Sequence, residues 1–197
     1  MIKSLIVFSI LMLFLFILPA YAGAPLDTVQ ADVNKVLDVL RDPKLKADSA
    51  KEAKKERLRT IYEQMFNEAE LSRRTLTRNW NNLNSAQQQE FIQLFRQVLE
   101  RAYIDKILSY TNEKIVFSRE VTLSNDQAEV QTKIITSSKE IPIFYRVILK
   151  DGSWKVYDVV VENVSLVQNY RSQFNSILAK NTPDQLLEIL REKVKGQ

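Results

Sequence analysis

Apolar positions along this chain recur with two periods, and the points where the period changes divide it into elements. From Leu26 to Leu40, residues Val29, Val33, Val36, Leu37 and Leu40 share one helical face. Leu58, Ile61, Tyr62, Met65 and Phe66 continue in helix. Leu71, Leu76, Trp80 and Leu83 predict another, with Arg73, Arg74 and Arg78 on its polar side. Ser85 and Gln88 have the spacing of a capping box, opening a long helix whose stripe runs through Phe91, Leu94, Phe95, Val98, Leu99, Ala102 and Tyr103. That stripe is wider than a coiled-coil seam and suits a helix lying on a sheet or lining a cavity.

From Ile115 the period becomes two. Ile115, Phe117 and Val121 alternate with polar neighbours; so do Ala128, Val130 and Ile134, then Ile143, Tyr145, Val147 and Leu149, then Tyr157, Val159 and Val161. Ser124-Asn125-Asp126, Thr136-Ser137-Ser138 and Asp151-Gly152 are the turns between them, the last a strong hairpin signal. At Ser165 the helical period returns through Val167, Tyr170, Phe174 and Ile177, with Ser165 and Gln168 as a second capping box. Thr182-Pro183-Asp184-Gln185 caps a last helix over Pro183 to Val194. The pattern predicts an α+β fold: helices, an antiparallel meander of four strands apolar on one face, then helices again. No repeat, low-complexity tract or linker interrupts it, so residues 23–197 are expected to form one domain.

The N-terminus stands apart. Lys3, an apolar run from Leu5 to Leu18 and the small-x-small site Ala20-Tyr21-Ala22 predict a secretory signal peptide over residues 1–22. A retained membrane anchor is the competing reading. The run is shorter than the ~20 residues a span requires, and no basic stop-transfer flank follows it. Cleavage after Ala22 leaves 175 of the 197 residues and removes one lysine, lowering the net charge from +4 to +3.

The chain has no cysteine and no histidine. An exported domain without disulfides points to a bacterial periplasm. The same inventory excludes a cysteine nucleophile, a Ser-His-Asp triad and histidine-ligated zinc or haem. The mixed, small basic excess lacks the stripe of a nucleic-acid binder. Between Asp42 and Ala53 the chain is rich in Lys and Asp. This stretch reads as a solvated loop, with a patch for acidic phospholipid headgroups as the functional alternative.

Asp158 lies mid-strand, on the pleat face of Trp154, Val156 and Val160. In a cavity such a carboxylate can act as a general base; the structural alternative, pairing with an arginine or capping a turn, outweighs it. The tip Val164-Ser165-Leu166 with Tyr170 and Arg171 offers helix-terminal amides to an anion, although a plain helix cap is the favoured reading. The apolar stripes either fill one another or enclose a cavity, and their spacing leaves both open.

Trp154 to Phe174, W-K-V-Y-D-V-V-V-E-N-V-S-L-V-Q-N-Y-R-S-Q-F, resembles the signature of the MlaC family, auxiliary proteins of ABC-type phospholipid transport known for toluene tolerance. Trp80, the Ser-Ala-Gln-Gln turn at Ser85, the Phe91/Phe95 spacing and Tyr103 fit as well, so the resemblance runs from about residue 26 to 190. Where the family usually has Gly in E-G-V-S, this chain has Asn163, which after Gly best tolerates positive φ.

The resemblance implies an NTF2-like cone, with a curved antiparallel sheet of four to five strands and several helices around an apolar pocket. It implies a periplasmic carrier with no cofactor and no catalytic residues, its cargo a diacyl phospholipid whose headgroup stays near the solvent. Its partners would be an inner-membrane MCE-domain protein of an ABC transporter and an outer-membrane lipoprotein complex, and it would maintain outer-membrane lipid asymmetry. No nucleic acid is involved and a monomer is expected. Carried over by position, the lipid-lining residues would be Tyr145, Val147, Leu149, Tyr157, Val159 and Val161 from the sheet. From the helices they would be Leu76, Trp80, Phe95, Leu99, Tyr103, Val167, Tyr170 and Phe174. Exposing two acyl chains to water costs on the order of 20 kcal/mol at about 0.8 kcal/mol per CH₂, so a carrier must hide them almost completely. The alternatives are an exported enzyme using Asp158 with Tyr145 or Tyr157, and a filled scaffold bridging two membrane complexes.

Overall fold

The computed structural model describes residues 24–110 and 113–196; the signal peptide read at residues 1–22 lies outside them. Among the described residues, helix α1 (Pro25–Arg41) opens at a proline whose fixed φ suits a first helical turn. The charged stretch after it is two short 3₁₀ turns, Pro43–Leu45 and Asp48–Ala50, with Leu45 buried. Helix α2 (Lys51–Met65) then runs back along α1. Helix α3 (Glu68–Leu76) stops earlier than the Leu71–Leu83 periodicity predicts. At Thr77 the backbone turns to φ 51°, which no right-handed helix can continue, and Thr77–Asn82 follows as 3₁₀.

Helix α4 (Ser85–Leu108) carries a reciprocal capping box one residue before the predicted pair. Asn84 Oδ1 accepts from Gln87 N at 3.0 Å, and Gln87 Oε1 accepts from Asn84 N at 2.9 Å. Asparagine caps as well as serine, and a glutamine stands three residues after each.

Strands β1 (Lys114–Ser124), β2 (Gln127–Ile135), β3 (Glu140–Lys150), β4 (Ser153–Val161) and a two-residue β5 (Val164–Ser165) form one antiparallel sheet in sequence order. Asp151 (φ 50°) and Gly152 (φ 75°) make the expected tight hairpin. Glu162 (φ 48°) and Asn163 (φ 67°) make a second, so asparagine holds the turn that glycine would otherwise supply. Helix α5 (Leu166–Leu178) has Ser165 as its cap, with Ser165 Oγ accepting from Gln168 N; the reciprocal half of the predicted box is absent. Helix α6 (Pro183–Lys195) has the full box between Thr182 and Gln185.

One irregularity changes which faces the side chains of β4 occupy. Val147 pairs with Val156 and Tyr145 with Val159, while Arg146 stands opposite Asp158. Val156 and Val159 therefore share a face although they are three residues apart. A β-bulge takes up the odd residue and turns Tyr157 and Asp158 together to the other side. Strict alternation, which put Tyr157 with Val159 and Asp158 with Trp154 and Val156, fails here.

Two apolar cores result. Helices α3 to α6 enclose one, built on Leu71, Leu76, Phe91, Phe95, Phe174 and Leu187. The other lies between the sheet and α1, built on Val29, Val33, Leu37, Val130, Val147 and Val156. Phe66 packs against both.

Candidate functional site

The face of the sheet under α1 is best followed as rows across the strands. Ala128, Val147 and Val156 form one row and are closed off, each at most 2% exposed. In the next row Val130 is buried, but Tyr145 and Val159 are only half-buried. Then come Phe117, Thr132, Ile143 and Val161, with Thr132 buried, Phe117 and Ile143 half-buried and Val161 exposed. The last row, Ile115, Ile134 and Ile141, is half-buried throughout. Burial therefore falls from one end of this face to the other. Helix α1 lies against β1 and β2, while α2, α3 and α5 reach β4.

Within these rows burial pushes the Tyr145 phenol up to about 12, and the residue stays half-buried.

Of the residues singled out from the sequence, the structure gathers Leu76, Trp80, Phe95, Leu99, Tyr103, Val167, Tyr170 and Phe174 into the helical core. Phe95 meets Tyr170 at 4.8 Å and Phe174 at 5.3 Å between ring centroids, both edge-to-face. Trp80 and Tyr103 stand at that core's rim, half-buried. Tyr145, Val147 and Val159 join the sheet core, and Leu149 lies opposite Trp154 at its edge. Tyr157 is turned to the other face by the bulge, where its hydroxyl donates to Gln127 Oε1 at 3.1 Å and Arg74 stacks on its ring at 3.8 Å. The two sets are thus brought into two adjoining cores.

The residue joining the cores, Phe66, was read only as part of a helical stripe. It leaves the helix in extended conformation, pairs with Val156 as an isolated parallel bridge and stacks on Tyr62 at 4.4 Å. Asn67 at position N-cap of α3 was the available signal, because it ends the preceding helix.

Asp158 is fully committed. Its carboxylate accepts from Ser165 Oγ at 2.6 Å, from Val167 N at 3.0 Å and from Arg146 Nη1 at 3.2 Å. Arg146 also donates to Glu129 at 3.0 Å. A carboxylate at the first turn of α5 complements the helix dipole and locks the helix to β4. Asp158 and Ser165 between them take the Val167 and Gln168 amides that an anion would use. Asp158 also faces away from Tyr145. The arrangement is one of support for the α5 start.

Polar clefts lie elsewhere. One of about 630 Å³ is lined by Glu63, Phe66, Glu68, Arg96, Lys150 and Lys155, at the β3–β4 hairpin end. Burial raises the carboxyl of Glu68 there, with Arg96 opposing the shift. A smaller one of about 380 Å³ includes Asp38, Arg41, Asp42 and Arg57. Among the described residues no group of acidic side chains has the geometry to hold a metal ion.

The family description "MlaC protein" matches residues 30–192. The chain belongs to the MlaC family. It is 27% identical over 118 residues to the intermembrane phospholipid transport system binding protein MlaC of Haemophilus influenzae, covering 57% of this chain and 55% of that relative, so the match spans about half of that protein's length. It is 24% identical over 170 residues to the toluene tolerance protein ttg2D of Pseudomonas putida, covering 85% of this chain and 79% of that one. Its fold is similar to that of a phospholipid-binding protein from Ralstonia solanacearum solved in complex with a phospholipid. The TM-score is 0.77 at 20% identity, over 87% of this chain and 97% of that one. Within this MlaC chain the signature from Trp154 to Phe174 maps onto β4, the Glu162-Asn163 turn, β5 and α5, the segment that Asp158 ties together.

Proposed function

We propose that the protein is a periplasmic phospholipid carrier, delivered by its signal peptide. It accepts lipid from one membrane complex and yields it to another. The observation that carries this reading is the half-buried apolar rows of the sheet, from Ile115–Ile134–Ile141 in to Tyr145 and Val159. Acyl chains lie along those rows, with Val147 and Leu149 beyond them, and Tyr103 and Trp80 stand at the rim of the adjoining helical core. The buried helical residues Leu76, Phe95, Leu99, Val167, Tyr170 and Phe174 form the wall behind. The names of the Haemophilus and Ralstonia proteins support the phospholipid class. The partners that fit are an inner-membrane MCE-domain ABC transport complex and an outer-membrane lipoprotein complex, with outer-membrane lipid asymmetry as the outcome. No bond is made or broken, and transfer between two similarly apolar environments is near balance.

Ile143→Arg puts a charge in the middle of the half-buried rows and tests the reading. The variant is expected to keep a melting temperature within a few degrees of the parent, because Ile143 is only half-buried. It should lose transfer of fluorescent phospholipid between vesicles. Transfer at the parental rate would refute this site.

A further inference from the structure

The lysine-rich stretch after α1 is ordinarily no more than a solvated surface. Its position in the fold argues for more. Helix α1 ends at Arg41, whose Nη2 donates to the Tyr110 hydroxyl at 2.6 Å; that hydroxyl in turn donates to the carbonyl of Glu113, next to the start of β1. The opposite end of α1 is fixed by Leu26 N donating to Glu120 Oε2 at 2.9 Å. The C-terminal end of α1 therefore stands at the Ile115–Ile134–Ile141 row, where burial is lowest. Helix α2 returns from there: its far end pairs with Val156, and its Arg59 donates to Glu100 of α4 at 2.6 Å. The two 3₁₀ turns and the first turn of α2 are thus held at the half-buried end of the apolar rows.

The acids of this stretch are already engaged. Asp42 accepts from the Lys44 backbone at 2.9 Å and from Arg57 at 3.1 Å, Glu52 accepts from Lys55 at 3.0 Å, and Glu56 pairs with Arg59. Asp48 alone is left to answer four lysines, Lys44, Lys46, Lys51 and Lys54, whose ammonium groups meet no acid among the described residues. Lys44, Lys46 and Lys51 are exposed. This local surplus of positive charge equals the net charge of the whole processed chain.

We propose that this cluster is a docking surface for anionic phospholipid bilayers, which holds the half-buried apolar rows toward the headgroup layer where the membrane complexes sit. The inference rests on the carrier reading. Each lysine at an anionic surface adds a small attraction that falls off within a Debye length, so the docking is weak, additive and salt-sensitive. A bilayer fits better than an acidic protein because the charges stand at the half-buried end of the apolar rows and carry no fixed partner geometry.

The test is co-sedimentation of the processed protein with two sets of vesicles, one of phosphatidylcholine alone and one with a third of the lipid replaced by phosphatidylglycerol. The parent should bind the anionic vesicles and be released by molar salt. The variant Lys44→Gln/Lys46→Gln/Lys51→Gln/Lys54→Gln should bind them weaker by about tenfold or more. Its content of copurified lipid should equal that of the parent, which shows that the fold and the lipid site of the carrier reading are intact. Two further variants, Lys44→Gln/Lys46→Gln and Lys51→Gln/Lys54→Gln, should each give an intermediate loss. Equal binding by parent and variant, or binding indifferent to phosphatidylglycerol, overturns the proposal while leaving the carrier reading intact. So does a variant defect that appears only with protein-containing membrane fragments, which would assign the cluster to an acidic protein. A parent that never carries lipid overturns the carrier reading and this proposal together.

Discussion

Asp158 illustrates how a chemically suggestive residue becomes a structural one. A buried carboxylate needs donors around it, and here a hydroxyl, a backbone amide and a guanidinium supply them. Removing it leaves the buried Ser165 hydroxyl and the Val167 amide without their acceptor, while Arg146 keeps Glu129. Asp158→Ala is therefore expected to lower stability by about 2 kcal/mol in urea denaturation, mostly through the uncapped start of α5. The folded fraction should still carry lipid. Parental stability with lost transfer would instead assign Asp158 to the working site. Tyr145, on the opposite face, is held neutral by burial well beyond ordinary pH and stays half-buried among the apolar rows.

At the scale of elements, Phe66 is the join between two cores that otherwise share little. Phe66→Ala opens a cavity at their contact and weakens the stack on Tyr62. It should cost about 3 to 5 kcal/mol and speed amide exchange in both α2 and β4. Destabilisation confined to the helical core would contradict the bridging role. The same scale shows what the sequence made legible. The helices, the four main strands and the Asp151-Gly152 turn followed from period and turn chemistry, because those signals are local, whereas the Asn163 turn was implied by the family resemblance. The bulge at Tyr157 did not, since it depends on how β4 registers against Arg146 and Val147 of β3. The break at Thr77 was hidden because Trp80 and Leu83 continue the apolar spacing. The cap fell on Asn84 in place of Ser85 because both precede a glutamine by three residues. For the site, residue type and spacing found the apolar stripes. They could not separate Tyr145 and Val159, which keep open surface, from Val147 and Phe95, which do not. Phe66 escaped notice because its role begins where its helix ends.

Taken whole, the molecule is polarised. The β3–β4 hairpin end is closed, and its cleft is polar and mixed in charge. The opposite end combines half-buried apolar rows with unpaired lysines. On the proposed reading this is the end that turns to the membrane, and half-buried isoleucine, phenylalanine and valine offer acyl chains apolar contact that water cannot use.

The most direct test is native mass spectrometry of the processed protein, with organic extraction of the same sample. The account predicts a bound mass equal to a diacyl phospholipid, removed on extraction and regained after incubation with vesicles. Protein that carries no such mass and takes up none from vesicles would mean that the apolar rows serve only as core, and the account would be wrong.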